Sequence, residues 1–336
     1  MTTSSEQTPA PVREQAAAKP GRVPDFFIVG QPKSGTTALY EMLRKHPQVF
    51  MPDFKEPRYF ASDLPSRYND RPSGEPLETY EDYLALFAPA GEGQLVGEAS
   101  TAYIWSKTAA ANIARARPDA KIVAIMREPA SYLRSMHLQL LQIRVERERS
   151  LRKALALEDK RRRGKHLPKP VANWPAVLLY TDRIRYVEQL RRYHEAFPRE
   201  QVLVLIYDDF RSENEATVRK VMRFLEVDET VPIAHSEANP SVQLRSVRMD
   251  EAVRIVTGGE GALGRALRGV VRAVTPHDLR LRAHRAVLGS VLFGPPKPPD
   301  EKLMLELRRR FKGEVVALSE YLGRDLVSLW GYDSLD

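Results

Sequence analysis

The chain contains no cysteine in 336 residues, which excludes disulfide bridges and thiolate metal sites. Its seven histidines are scattered, and no His/Asp/Glu cluster has ligand spacing, so no metal is expected. No run approaches the ~18 uninterrupted apolar residues that a membrane-spanning helix needs. The N-terminus is rich in Ala, Pro, Ser, Thr and Gln and lacks the apolar segment of a secretory signal. Residues 1–22 are therefore expected to be a disordered tail, and the default expectation for location is cytoplasmic. Aromatic side chains are not interleaved with the basic runs and no recognition motif appears, which argues against nucleic acid as a partner.

Hydrophobic residues make up 43% of the chain, enough for a sizeable core. The formal net charge is +8, unevenly placed: residues 144–166 carry dense arginine and lysine, and 265–285 hold many arginines. Such runs read either as solvated helix faces laced with i,i+4 pairs or as a positive rim that draws in anions. Residues 250–292 form a basic, partly amphipathic pattern interrupted by Gly258, Gly259 and Gly264. That pattern fits ordinary packing, or a peripheral membrane contact that meets a lipid-linked acceptor.

Apolar runs of strand length at 25–29, 95–97, 122–126 and 202–206 are each followed by a helical pattern or a polar motif. The spacing predicts an α/β fold, a P-loop-containing parallel β-sheet flanked by helices on both faces, in a single domain over 23–332. Within it, 144–175 and 250–298 read as insertions or lid-like helical segments, since long polar stretches between sheet units commonly serve as binding loops.

The first strand runs directly into Gly30-Gln31-Pro32-Lys33-Ser34-Gly35-Thr36-Thr37 and then a helix with Leu39, Met42 and Leu43 on one face. A glycine-bounded turn at a helix N-terminus aims several backbone N–H groups at one place, and the helix dipole adds partial positive charge, so the loop suits a phosphate. An NTP-binding loop places its lysine after the second glycine, with a hydroxyl residue next. Here Thr36 occupies that place and Lys33 lies inside the loop, which argues against an ordinary ATPase or kinase. A second candidate phosphate site lies at Lys121–Met126, an apolar strand that ends in Arg127-Glu128-Pro129, with Ser135 eight residues after the arginine. An arginine fork at a strand's C-terminal end suits bidentate phosphate binding, and a serine on the following helix adds a hydroxyl donor.

These motifs together resemble the sulfotransferases that use 3′-phosphoadenosine-5′-phosphosulfate (PAPS), in particular the bacterial and heparan-sulfate-type members. The resemblance assigns Lys33, Ser34, Gly35, Thr36 and Thr37 to the 5′-phosphosulfate and Arg127 and Ser135 to the 3′-phosphate of that co-substrate. It extends to Lys55-Glu56-Pro57-Arg58-Tyr59-Phe60, which looks like the family's Lys-Glu-Pro-His-Phe-Phe segment, and to Gly97–Tyr103, which resembles an acceptor-cleft segment. Where the heparan-type enzymes carry a lysine after the glutamate of that second segment, this chain has Ala99. The blocks Tyr186 to Leu205, Tyr207-Asp208-Asp209-Phe210 and Gly323-Arg324-Asp325-Leu326 with Trp330 also fit, so the likeness spans roughly 24–332.

The resemblance implies sulfonyl transfer to an acceptor hydroxyl on a carbohydrate, glycolipid or secondary metabolite, without a metal. Glu56 is the implied base, its pKa expected to be raised in a cleft that loses water, and Lys33 the implied stabiliser of the leaving group. Glu98 is left open between a second acid near the acceptor and a helix-capping carboxylate, and Lys297 in Leu292–Pro298 is a candidate donor-covering residue. A P-loop kinase and an idle nucleotide-binding scaffold are the competing readings.

Overall fold

The computed structural model describes residues 21–64, 77, 79–172, 174–233, 243–244, 293–294 and 296–335. All of the expected tail but Gly21 and Arg22, and nearly all of the 250–298 segment, lie outside them.

β1 (Phe26–Gly30) is apolar along its whole length and buried on both faces, the pattern of a central strand in a parallel sheet. Its side chains alternate: Phe26 and Ile28 join a cluster with Leu39 and Leu43 on one side, while Phe27 and Val29 join the larger cluster on the other. Around it lies a five-stranded sheet formed with β2 (Val49–Phe50), β3 (Leu95–Ala99), β4 (Lys121–Met126) and β5 (Val202–Ile206). The order is β2-β3-β1-β4-β5 and every pairing is parallel. The four apolar runs in the sequence are thus the four inner or long strands. The two-residue β2 escapes sequence reading because two residues give no period to detect.

Helices cover both faces, as expected. On one side lie α1 (Thr36–Arg44), α8 (Tyr207–Ser212) and α9 (Asn214–Leu225). The other side carries α2 (Tyr80–Ala85), α3 (Ala109–Ala116), α4 (Pro129–Gln142), α7 (Tyr186–Ala196), α10 (Glu301–Leu322) and α11 (Leu326–Leu329). α4 starts with Pro129 at its first turn, and the Glu128 carboxylate caps it by accepting from the N–H groups of Ala130 and Ser131. The Tyr332 hydroxyl donates to the same carboxylate at 2.5 Å, tying the C-terminal segment to the start of α4.

Sheet packing leaves no room for a side chain at Gly97. A Cβ there would stand 2.2 Å from the Phe26 ring and 2.4 Å from the Met51 sulfur, so β3 approaches its neighbours more closely than alanine permits.

The 144–175 segment contributes α5 (Leu151–Ala156) and α6 (Glu158–Arg162) and sends Val145, Leu151, Ala154, Val171 and Trp174 into the core. At its centre Arg161 and Glu146 form a buried two-point ion pair, both contacts 2.8 Å, and the Tyr180 hydroxyl donates to the same carboxylate at 2.9 Å. Among the described residues no helix is long and apolar enough to cross a membrane, and no group of three or more His, Asp or Glu residues is placed to hold a metal ion.

Candidate functional site

Strand order reverses around β1, and in open parallel sheets the crevice outside the carboxyl ends of the strands at such a point is where ligands bind. A cavity of about 390 Å³ lies there, and the segments leaving the carboxyl ends of all five strands build its wall. Lys33, Gly35, Thr36 and Thr37 come after β1; Lys55 and Glu56 after β2; Thr101 after β3; Arg127 and Ser135 after β4; Tyr207 after β5. Two motifs about ninety residues apart in sequence therefore share one cavity, and of the residues assigned to the co-substrate or to catalysis all but Ser34 line it.

Gly35 makes the loop possible. Its φ of 82° is left-handed, and a Cβ would lie 2.7 Å from the Phe210 ring, so only glycine lets the turn lie against α8. Lys33 is also left-handed, with φ 61°. The Ser34 hydroxyl is fully buried and has no hydrogen-bond partner among the described residues, as suits a donor reserved for a ligand oxygen.

Arg127 closes the loop from the β4 side. Its Nη1 donates to the Lys33 carbonyl at 2.6 Å, its backbone N–H to the Gln31 Oε1 at 3.3 Å, and its guanidinium lies 4.4 Å from the centre of the Tyr207 ring. Burial lowers the pKa of both Lys33 and Arg127, and the charged neighbour acting on Lys33 is another cation, Arg127 itself. Two half-buried cations held together in one cavity set up a positive field that an anion relieves. Ser135 stands on the face of α4 that also presents Gln139 and Gln142 to the cavity, at i, i+4 and i+7.

Glu56 is a carboxylate in a socket. Thr101 donates to it twice, through its N–H at 3.0 Å and its hydroxyl at 2.7 Å. Lys55 Nζ stands 3.4 Å from Oε1, and Arg58 Nε 3.5 Å from Oε2. The raised pKa expected from the sequence is corrected by this geometry. Burial does push Glu56 up, but Lys55, Arg58 and the Thr101 hydroxyl outweigh it and hold the carboxyl below the ordinary range. Lys55 also donates to the Thr37 hydroxyl at 3.3 Å, so one ammonium joins the phosphate-type loop to the carboxylate.

The raised carboxyl is Glu98. It caps no helix and does not line the cavity; it lies fully buried on β3, where the hydroxyls of Tyr83 and Tyr103 donate to Oε2 at 2.7 and 3.0 Å. Burial pushes it up to about 7, with Glu56 adding to the rise against the pull of the Ser100, Tyr83 and Tyr103 hydroxyls. A folded-state pKa above the ordinary 4.5 means that the folded protein binds this proton more tightly than the unfolded chain between those two values. Stability conferred by the neutral acid is therefore present at low pH and lost as pH rises toward 7, by on the order of 3 kcal/mol. Glu98→Gln cannot ionise and keeps an acceptor oxygen, so urea unfolding from pH 5 to 8 should show a flatter slope than wild type.

Lys55 and Thr101 stand in motifs legible in the sequence, but no role could be read for them there, and Gln139, Gln142, Ile143 and Tyr207 carried no signal as cavity residues. Helical spacing from Ser135 would have found the two glutamines, but Thr101 lies 45 positions from Glu56 and nothing local marks it. Lys297 is exposed, and its carbonyl accepts from Arg134 on α4 at 2.5 Å; it does not line the cavity.

Comparison with known proteins points to one family. The profile described as "Sulfotransferase family" matches residues 24–231. Carbohydrate sulfotransferase 15 of Mus musculus is 27% identical over 244 residues, covering 60% of this chain and 44% of that protein. Heparan sulfate glucosamine 3-O-sulfotransferase 3A1 of Mus musculus is 26% identical over 214 residues, covering 64% of this chain and 48% of that protein. The chain thus spans about half the length of the curated relatives it matches. Among solved structures, a sulfotransferase from Alicyclobacillus acidocaldarius superposes with a TM-score of 0.56 at 28% identity, covering 73% of this chain and 95% of that one.

Proposed function

The chain belongs to the sulfotransferase family, and from that premise we propose that it transfers a sulfonyl group from PAPS to an acceptor hydroxyl, on a carbohydrate or glycoconjugate. The observation that carries this reading is the single cavity in which Lys33 and Arg127, two half-buried cations, stand with the Ser34 hydroxyl, which has no hydrogen-bond partner among the described residues, in the loop behind them. A donor with phosphate at both its 3′ and 5′ positions suits a cavity whose phosphate-type donors come from two different strand ends, the loop after β1 and the Arg127 and Ser135 motif after β4. The names of the relatives support a glycan acceptor.

In this reading the loop N–H groups, with Ser34, Thr36 and Thr37, hold the 5′ end, while Arg127 and Ser135 hold the 3′ end. Glu56, kept ionised at neutral pH by Lys55, Arg58 and Thr101, takes the acceptor's hydroxyl proton. The new O–S bond forms as the bond from sulfur to the 5′-phosphate oxygen breaks. Lys33 compensates the charge that gathers on that oxygen, and its ammonium needs no reorganisation because its loop is already fixed.

Thermal unfolding with 3′-phosphoadenosine-5′-phosphate, ADP and ATP tests the donor assignment. Ligand at ~100 times its Kd adds roughly 2.7 kcal/mol, so a clear upward shift is expected with the 3′-phosphorylated nucleotide. In Arg127→Ala that preference should disappear. Equal or larger stabilisation by ATP would overturn the reading in favour of a kinase, and no response to any nucleotide would favour an idle scaffold.

A further inference from the structure

Residues 56–60 run an irregular course. Glu56 and Arg58 both have left-handed backbones, with φ of 64° and 56°, a conformation that non-glycine residues keep only when their surroundings impose it. The segment that ends β3 imposes it. The Glu56 N–H donates to the Ala99 carbonyl at 3.0 Å, the Arg58 N–H to the Ser100 hydroxyl at 2.9 Å, and the Phe60 N–H to the Tyr103 hydroxyl at 3.2 Å. Rings complete the template: Tyr59 stacks on Tyr83 at 4.8 Å between centroids, and Phe60 meets the same ring edge-on at 5.2 Å. Tyr83 and Tyr103, two of the residues that grip this segment, both spend their hydroxyl protons on one oxygen of Glu98.

We propose that Glu98 is a positioning residue for Glu56. From behind the cavity wall it fixes the Tyr83 and Tyr103 hydroxyls, and Tyr103 in turn holds the Phe60 amide, so that the 56–60 segment presents its carboxylate to the cavity. Glu98 touches neither the cavity nor Glu56 through a hydrogen bond; it acts through the two tyrosines. The Tyr103 oxygen is oriented as an acceptor for the Phe60 N–H because its own proton is committed to Glu98. Removing Glu98 frees that proton to turn toward Phe60, and the grip on the left-handed stretch is lost. The consequence for catalysis rests on the assignment of Glu56 as base; the consequence for the segment does not.

Two readouts on Tyr103→Phe, Glu98→Leu and Glu98→Gln test it. The first is amide hydrogen exchange of the peptide covering residues 55–61. Exchange there is expected to rise about tenfold in Tyr103→Phe and Glu98→Leu, with β1 and α1 unchanged, and Glu98→Gln should restore most of the protection because its amide oxygen still accepts both hydroxyls. The second is turnover of PAPS with water as acceptor, alongside the affinity for 3′-phosphoadenosine-5′-phosphate. Turnover is expected to fall about 100-fold in Tyr103→Phe and Glu98→Leu with nucleotide affinity within about twofold of wild type, and to recover in Glu98→Gln. Unchanged exchange at 55–61 in Tyr103→Phe, or a rise spread evenly over the whole sheet, would overturn the proposal. Should Glu56→Gln retain full turnover, the assignment of the base fails, while the exchange measurement still decides the positioning role.

Discussion

Lys33→Ala is expected to lower sulfonyl transfer from PAPS by about 10³-fold, roughly 4 kcal/mol of barrier, while the protein stays folded. Folding should survive because the left-handed backbone at residue 33 costs alanine no more than lysine, and because the Lys33 group that Arg127 holds is the backbone carbonyl, which alanine keeps. The loss falls on the ammonium alone. It sits in a cavity where burial and Arg127 already disfavour its charge, so in the proposed reaction its interaction with a departing phosphate oxygen is worth more than in water. Lys33→Arg should rescue poorly, since a planar fork does not replace a compact point charge in a tight loop. Single-turnover measurement with labelled PAPS checks the rate, and thermal unfolding checks the fold. A loss below tenfold in Lys33→Ala would place charge compensation elsewhere, with Lys55 the next cation on the cavity wall.

The largest effect on stability is expected at Arg161. Arg161→Ala leaves the Glu146 carboxylate buried with its fork partner gone, a change that costs about 3–5 kcal/mol in comparable buried pairs. The double substitution of Arg161→Met with Glu146→Leu should cost far less, because it removes the charge that would otherwise be stranded. Hydrogen bonds from Arg161, Tyr180 and the Glu148 N–H hold Glu146 below the ordinary carboxyl range against the upward push of burial. Its favourable contribution is therefore present above the unfolded pKa and lost as pH falls through the lower folded one. The difference between wild type and Arg161→Ala should narrow toward pH 4, which urea unfolding across pH would show. Activity should also suffer, since this pair anchors the chain immediately after Gln139, Gln142 and Ile143 on the cavity wall.

Much of the site is legible in the sequence. The Gly30-to-Gly35 spacing with its internal lysine marks the loop, and Arg127 and Ser135 mark the second station, because each motif is a local pattern next to a recognisable strand. β2 is invisible at two residues, and with it the reason why Lys55 and Glu56 belong to the site: they come after a strand like the others. The direction of the Glu56 pKa is misjudged from sequence for a related reason. Burial can be foreseen from a cleft, but the two hydrogen bonds from Thr101 come from the end of a strand that pairs with β1 and β2, and sequence distance hides them. Glu98 shows the converse, a carboxylate in a motif that looks like cleft lining and lies behind it.

Local periodicity and turn chemistry, both readable in the sequence alone, determined the apolar strands alternating with helices, the glycine-bounded anion loop, and the arginine at a strand's end. Those features depend on neighbours a few residues away. Tertiary structure alone decided which of two glutamates faces the cavity and which is buried among tyrosines, because desolvation and hydrogen bonding to a carboxyl depend on groups that only chain folding brings within about 3 Å. The difference between a carboxylate held ionised and one pushed up to about 7 arises in that last step.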